Sequence, residues 1–255
     1  MNSFLVFTNK EFKENLRSYK VLILAFLMIL FGLMSPILAK IMPDVLSSMA
    51  LDISMVMPEP TYIDAYTQFF KNLTQMGVIA VILLFSTSVS QERIKGTASL
   101  MLTKNLSRST FLISKFSSIS ILWTITYFLS ALITYVYTKN LFSYTNTVEH
   151  LLLSFGSLWV FVLLIIAITM FFSTLFSNSQ YLGMLGSFGG WLLLIISSYI
   201  PHVRNYTPYV LAKDNMNIIL GKASLDHIYI SLFIAILCII GLLISSIIIF
   251  KKQEI

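Results

Sequence analysis

Charge is what this sequence has least of. Charged residues are 11% of the 255, against about a quarter in an average soluble domain. So few charges cannot cover the surface that a soluble fold of this length exposes. An ordinary cytosolic enzyme and a disordered tail are thereby excluded. Cysteine is nearly absent too. Cys238 alone can make no internal disulfide, and within its apolar run it reads as a buried structural thiol. No Walker A sequence is present, because Gly221-Lys222 lacks the upstream glycine that cradles a phosphate. Neither a Gly-x-Ser-x-Gly elbow nor a His-Glu-x-x-His pair occurs. His150, His202 and His227 are far apart in the chain and read as interfacial polar residues, not metal ligands. Met55 and Met57 read as loop packing, not a soft-metal site. The expectation is a protein without catalytic residues, metal or cofactor.

What is present is apolar length. Hydrophobic residues are 57% of the chain, and mean hydropathy is +0.85. A helix needs about 20 apolar residues to cross the hydrocarbon. Six runs qualify: 21–42, 73–90, 116–138, 151–176, 181–200 and 228–250. None alternates as a barrel strand would. The expected fold class is an all-α integral membrane protein, one domain over 1–255. The first run is too long, and too far from the start, for a cleaved signal peptide.

Six spans put both termini on one side. Eleven of the seventeen Lys and Arg fall there, and most acids fall opposite, so the positive-inside rule predicts cytoplasmic termini. Lys40 should snorkel to the outer interface. Ahead of the first span, Phe12, Leu16 and Tyr19 share one helical face beside Lys10, Lys13 and Arg17, which suits an interfacial helix. Pro36 can kink the first span. No Asp, Glu, Arg or His lies deep in a span, which weighs against proton- or ion-coupled carriage. In the fifth span Gly183, Gly186, Ser187 and Gly190 form small-residue pairs at four-spacing, the pattern of close helix packing.

The one sizeable inner loop runs from Gln91 to Lys115. Ile94, Ala98, Met101 and Leu102 predict a short amphipathic helix in it, able to dock on the bundle or in a partner's groove. Ser107 or Ser109 can cap the third span. The stretch Glu92-Arg93-Ile94-Lys95-Gly96-Thr97, with Leu100, Leu102, Ser107-Arg108 and Lys115, resembles the inner-loop signature of ABC-2-type permeases. Asn105-Leu106 stands where a proline is often found in them. The opening Lys10-Glu11-Phe12 with Arg17 to Lys20 is similar to that family's elbow helix. The segment from Tyr206-Thr207-Pro208 to Gly221, and the tail Phe250 to Ile255, are similar too.

The resemblance implies a permease subunit of an ATP-driven exporter in the plasma membrane. It would pair with a second permease, most simply a copy of itself, and with separate ATP-binding subunits. It implies a coupling helix between spans two and three, and re-entrant outer helices between spans five and six. Glu92, Arg93, Lys95 and Gly96 would transmit the ATPase stroke; Glu92 could pair with basic groups, and Gly96 could allow a sharp bend. The aromatic content of 14% suits an amphipathic or hydrophobic cargo, such as a peptide, a drug or a lipid-like molecule. Polysaccharide carriage would need a wide polar path that the spans lack. The competing readings are a stand-alone carrier or channel, and a non-transporting sensor partner of an ATPase.

Overall fold

The computed structural model describes residues 3–49, 59–103, 106–142 and 148–253. Met55 and Met57 lie outside them. The described residues form helices and turns, and six helices are long and apolar enough to cross a membrane.

Helix α1 (Ser3–Arg17) precedes the first span, α2 (Lys20–Met49). Between them Tyr19 adopts a left-handed backbone with φ 60°, which costs a non-glycine residue roughly 1 kcal/mol or more and turns the chain sharply. Pro36 and Pro43 both lie within α2, which continues past them. The second span begins earlier than its apolar run. Thr61 and Asp64 form a capping box that starts α3 (Tyr62–Asn72). A π-helical turn, Leu73–Gly77, joins it to α4 (Val78–Phe85). Then come two short helices, α5 (Ser90–Ile94) and α6 (Thr97–Leu102). The third span, α7 (Arg108–Leu141), also starts early, because Ser107 caps it by accepting from the Thr110 N–H. The last spans are α8 (Val148–Leu175), α9 (Gln180–Ser197) and α12 (Leu225–Lys252), with short α10 (Val210–Lys213) and α11 (Asn215–Ile219) between the final two.

Helix α8 is the central post, packed by α4, α7, α9, α10, α11 and α12. Its Phe155 gathers Tyr66, Phe69 and Phe70 of α3 and Tyr127 of α7 into an aromatic cluster. Tyr127 also donates to the Phe155 carbonyl at 2.7 Å. Polar side chains then tie the helices together. Ser130 and Thr134 of α7 donate to the Met28 and Gly32 carbonyls of α2. On α8, Ser154 and Ser157 donate to Asn215 of α11, which is 1% exposed. Buried hydroxyls that satisfy backbone or amide partners are a usual interhelical bond in apolar surroundings.

The small stripe of α9 lies against α8. The Gly183 position faces the Ser173 Cα and the Phe172 carbonyl, and Ser187 is buried, donating back to the Gly183 carbonyl. A Cβ at Gly186 would meet the Phe172 ring at 2.5 Å, and one at Gly190 would meet Ile168 at 2.7 Å. Gly32 does the same work between α2 and α7, where a Cβ would sit 2.9 Å from the Ser130 carbonyl oxygen. One expectation needs correcting. Cys238 is exposed on the single chain, not buried. Helix α12 buries only a narrow stripe through Ile228, Ser231, Ala235, Ser246 and Phe250, and Cys238 falls outside it. Helix α1 turns Phe7 and Glu11 into the bundle, while Leu16 and Tyr19 point away from it.

Overpacking makes a prediction here. Gly186→Ala or Gly32→Val should lower the stability of the detergent-solubilised protein by about 1–3 kcal/mol. Gly189→Ala, with nothing within 4 Å of its Cβ, should leave the melting temperature unchanged.

Candidate functional site

The inner loop is built around two breaks in helix geometry. After α4 the chain turns through Thr87–Val89, which leaves backbone N–H groups without helical partners. Ser173 of α8 supplies one, since its Oγ accepts from the N–H groups of Val89 and Ser90 at 3.1 and 3.3 Å. The second break is Gly96, at φ 70° with open space around it. Its backbone conformation, not crowding, is what calls for glycine. The expected continuous amphipathic helix is therefore two. Ala98 is buried, and Met101 and Leu102 pack on the core, but Ile94 lies across the bend and is exposed.

Glu92 points inward. It is 8% exposed and pairs with Lys115 of α7, itself 3% exposed. The Lys115 ammonium also bonds Glu11 of α1 at 2.7 Å, and Glu11 is 4% exposed. One buried cation thus joins α1, α5 and α7. Lys10 adds a rim, 2.9 Å from Glu11, 2.6 Å from Glu14 and 3.9 Å from Glu92. Burial works against the Lys10 charge, but the hydrogen bond to Glu14 and the nearby Glu11 and Glu92 charges outweigh it and raise its pKa above the ordinary lysine value. Burial likewise opposes ionisation of Glu14, and the hydrogen bond and charge of Lys10 prevail, so its pKa lies below the ordinary value. Lys10 and Lys115 also lie over the rings of Phe7 and Phe111.

Two arginines hold the far end of the chain to this loop. Arg93 donates to Ser177 and, at 2.7 Å, to Gln253 Oε1. Gln253 in turn donates to the Thr174 carbonyl. Arg108 donates to the carbonyls of Phe250, Lys251 and Gln253 at 2.7, 2.8 and 2.9 Å. These include the last carbonyls of α12, which have no helical donor, and a cation also suits the negative end of the helix dipole. Phe111 and Phe250 stack beneath, 5.4 Å apart.

Of the four loop residues singled out in the sequence, Glu92 and Arg93 therefore face the bundle, Lys95 is exposed, and Gly96 makes the bend. Sequence reasoning missed Lys115 as the partner of Glu92, and Glu11 as the second acid on the same lysine. The signal was partial: Lys115 directly precedes the third apolar run, and a lysine drawn into the bundle by an early helix start needs a counter-charge. The carboxylates of Glu11, Glu14 and Glu92 lie close enough together to resemble a metal site. Lys10 and Lys115 are bonded among them, so the group reads as an ion-pair network. The histidines stay apart, with His227 against the Tyr206 ring and His150 near Gly221.

Residues 5–205 match the family described as ABC-2 family transporter protein. The chain belongs to that family. It is also 24% identical to the uncharacterized transmembrane protein YxlG of Bacillus subtilis (strain 168), over 100% of this chain and 99% of the relative. Membership makes this ABC-2 protein a multi-pass transport permease, the membrane subunit and not the catalytic one. ABC-2 permeases generally work with an ATP-binding cassette ATPase. The matched region of this ABC-2 chain includes the whole inner loop and both acids bonded to Lys115.

Removing one member of a buried ion pair strands the other charge, at a cost of about 3–5 kcal/mol. Lys115→Met should therefore lower the melting temperature sharply. The triple variant Glu11→Gln, Glu92→Gln, Lys115→Met should recover most of that loss.

Proposed function

We propose that the chain is the permease subunit of an ABC exporter, moving an amphipathic or hydrophobic substrate outward on ATP hydrolysed by a separate subunit. One observation carries this reading. The inner loop presents Ile94 and Leu100 outward, with Leu100 67% exposed, while Glu92 and Arg93 anchor the same loop to three helices. A push on the exposed side would reach α1 and α7 through Lys115, and α12 through Gln253.

Charge placement supports cytoplasmic termini, since the end of the bundle carrying the inner loop also holds most of the lysines and arginines. On that orientation α1 is the elbow helix at the inner interface of the cell membrane, with its exposed Leu5 and Leu16 against lipid. Helices α10 and α11 then form the outer re-entrant pair before the last span. The expected single helix there is broken at Asp214, and both pieces are buried against α8. A second copy of the chain completes the pathway. Support for an apolar cargo comes from a groove of about 400 Å³ between α8, α9 and α12, lined by Ile168, Phe171, Phe172 and Leu242.

The test is affinity purification from native membranes with vanadate-sensitive ATPase assayed on the eluate. An ATPase at near-equal stoichiometry is expected, and Leu100→Asp should reduce its recovery roughly tenfold, as for a contact central to an interface. Glu92→Ala should leave ATP hydrolysis running but uncoupled from transport. No ATPase under mild extraction, with flux driven by an ion gradient instead, would replace this reading with a stand-alone carrier.

A further inference from the structure

Beside the Lys115 bridge lies a cavity of about 490 Å³, between α1, the start of α2, α5 and α7. Its charged lining is Glu11, Glu14, Glu92, Lys20, Lys95 and Lys115. Most of these have partners. Lys115 holds Glu11 and Glu92, and Lys10 holds Glu14. Three polar ends remain. Lys20 and Lys95 make no ion pair or side-chain hydrogen bond among the described residues. Glu92 is more than nine-tenths buried, and its Oε2 has no donor among the described residues. A buried carboxylate oxygen without a donor is costly, and such an atom beside a cavity marks a missing partner.

The cavity's depth narrows what that partner is. Lys20 is the first residue of the first span, Glu92 lies in the last turn of the second, and Lys115 lies about two turns into the third from the same side. This is the level at which a bilayer changes from hydrocarbon to headgroups. Lys20 and Lys95 lack a directly bonded counter-charge, which a phosphate would supply, and an N–H donor would satisfy the Glu92 oxygen. A phosphate alone would meet only the first need, and a metal ion only the second.

We infer that the cavity is a headgroup site for a phospholipid carrying both a phosphate and a primary ammonium, of the phosphatidylethanolamine type. The phosphate lies toward Lys20 and Lys95, and the ammonium donates to the carboxylates of Glu92 and Glu14. A choline headgroup has no N–H to donate, and a glycerol headgroup has no positive charge. The site is a lipid-binding one, and it stands whether or not an ATPase partner is found.

The experiment is native mass spectrometry of the purified full chain after exchange into mixed micelles with equal phosphatidylethanolamine, phosphatidylcholine and phosphatidylglycerol. Retention of phosphatidylethanolamine above both others is expected. Lys20→Gln should cut that retention roughly fivefold, the loss of one charge-assisted contact at a half-buried position. Lys213→Gln, exposed in the segment before the last span, should not change it. Three results would overturn the proposal. They are phosphatidylglycerol retained as well as phosphatidylethanolamine, phosphatidylcholine retained equally, or a preference that survives Lys20→Gln. Displacement by soluble phosphoethanolamine at low concentration would assign the site to a free metabolite and not to a membrane lipid.

Discussion

The Lys115 ammonium is the constraint around which one end of this protein is arranged. A lysine buried to 3% exposure in an apolar bundle is tolerated only with counter-charges in contact, and Glu11 and Glu92 both reach it. Those two acids come from different parts of the chain, so the requirement becomes geometric. It fixes α1 against α7 and pulls the start of the inner loop under the bundle. Apolar contacts alone would allow these pieces to slide, because Phe7 on Phe111 has no directional demand comparable to a hydrogen-bonded ion pair.

The arginines extend the same logic to the other half of the chain. Arg108 satisfies carbonyls at the end of α12, and Arg93 reaches Gln253 and the turn after α8. Helix α8 then carries the arrangement through the bundle. Its Ser173 holds the break after α4, its Phe172 seats the glycines of α9, and its Ser154 and Ser157 hold Asn215 at the far end. The exposed side of the inner loop is thus backed by polar bonds to elements on both flanks. That suits the force transmission proposed for it, in a chain that family membership makes a transport permease.

The six spans were legible because apolar length is a one-dimensional signal, and the described residues include six such helices. Their ends were less so. The apolar runs of the second and third spans begin well after the helices do, because Thr61–Asp64 and Ser107 cap them in polar sequence. Gly96 was readable as a bend, yet the periodicity of Ile94 with Ala98 ran through it and misplaced Ile94. The glycines of α9 declared themselves by spacing, whereas Gly32, alone in α2, gave no pattern. Glu92 stood out by its motif. Its partners did not, because contacts between residues 11, 92 and 115 depend on how helices cross, which no local pattern records.

The central claim is that Lys115 makes α1 and the inner loop a single mechanical unit. Hydrogen–deuterium exchange on the purified protein and on Lys115→Met tests it most directly, because exchange reports which segments open together. The account predicts that amides of α1 and of residues 90–103 lose protection together in the variant, while α8 keeps its own. A rise confined to the turns of α7 around the substitution, with α1 and the inner loop unchanged, would contradict it.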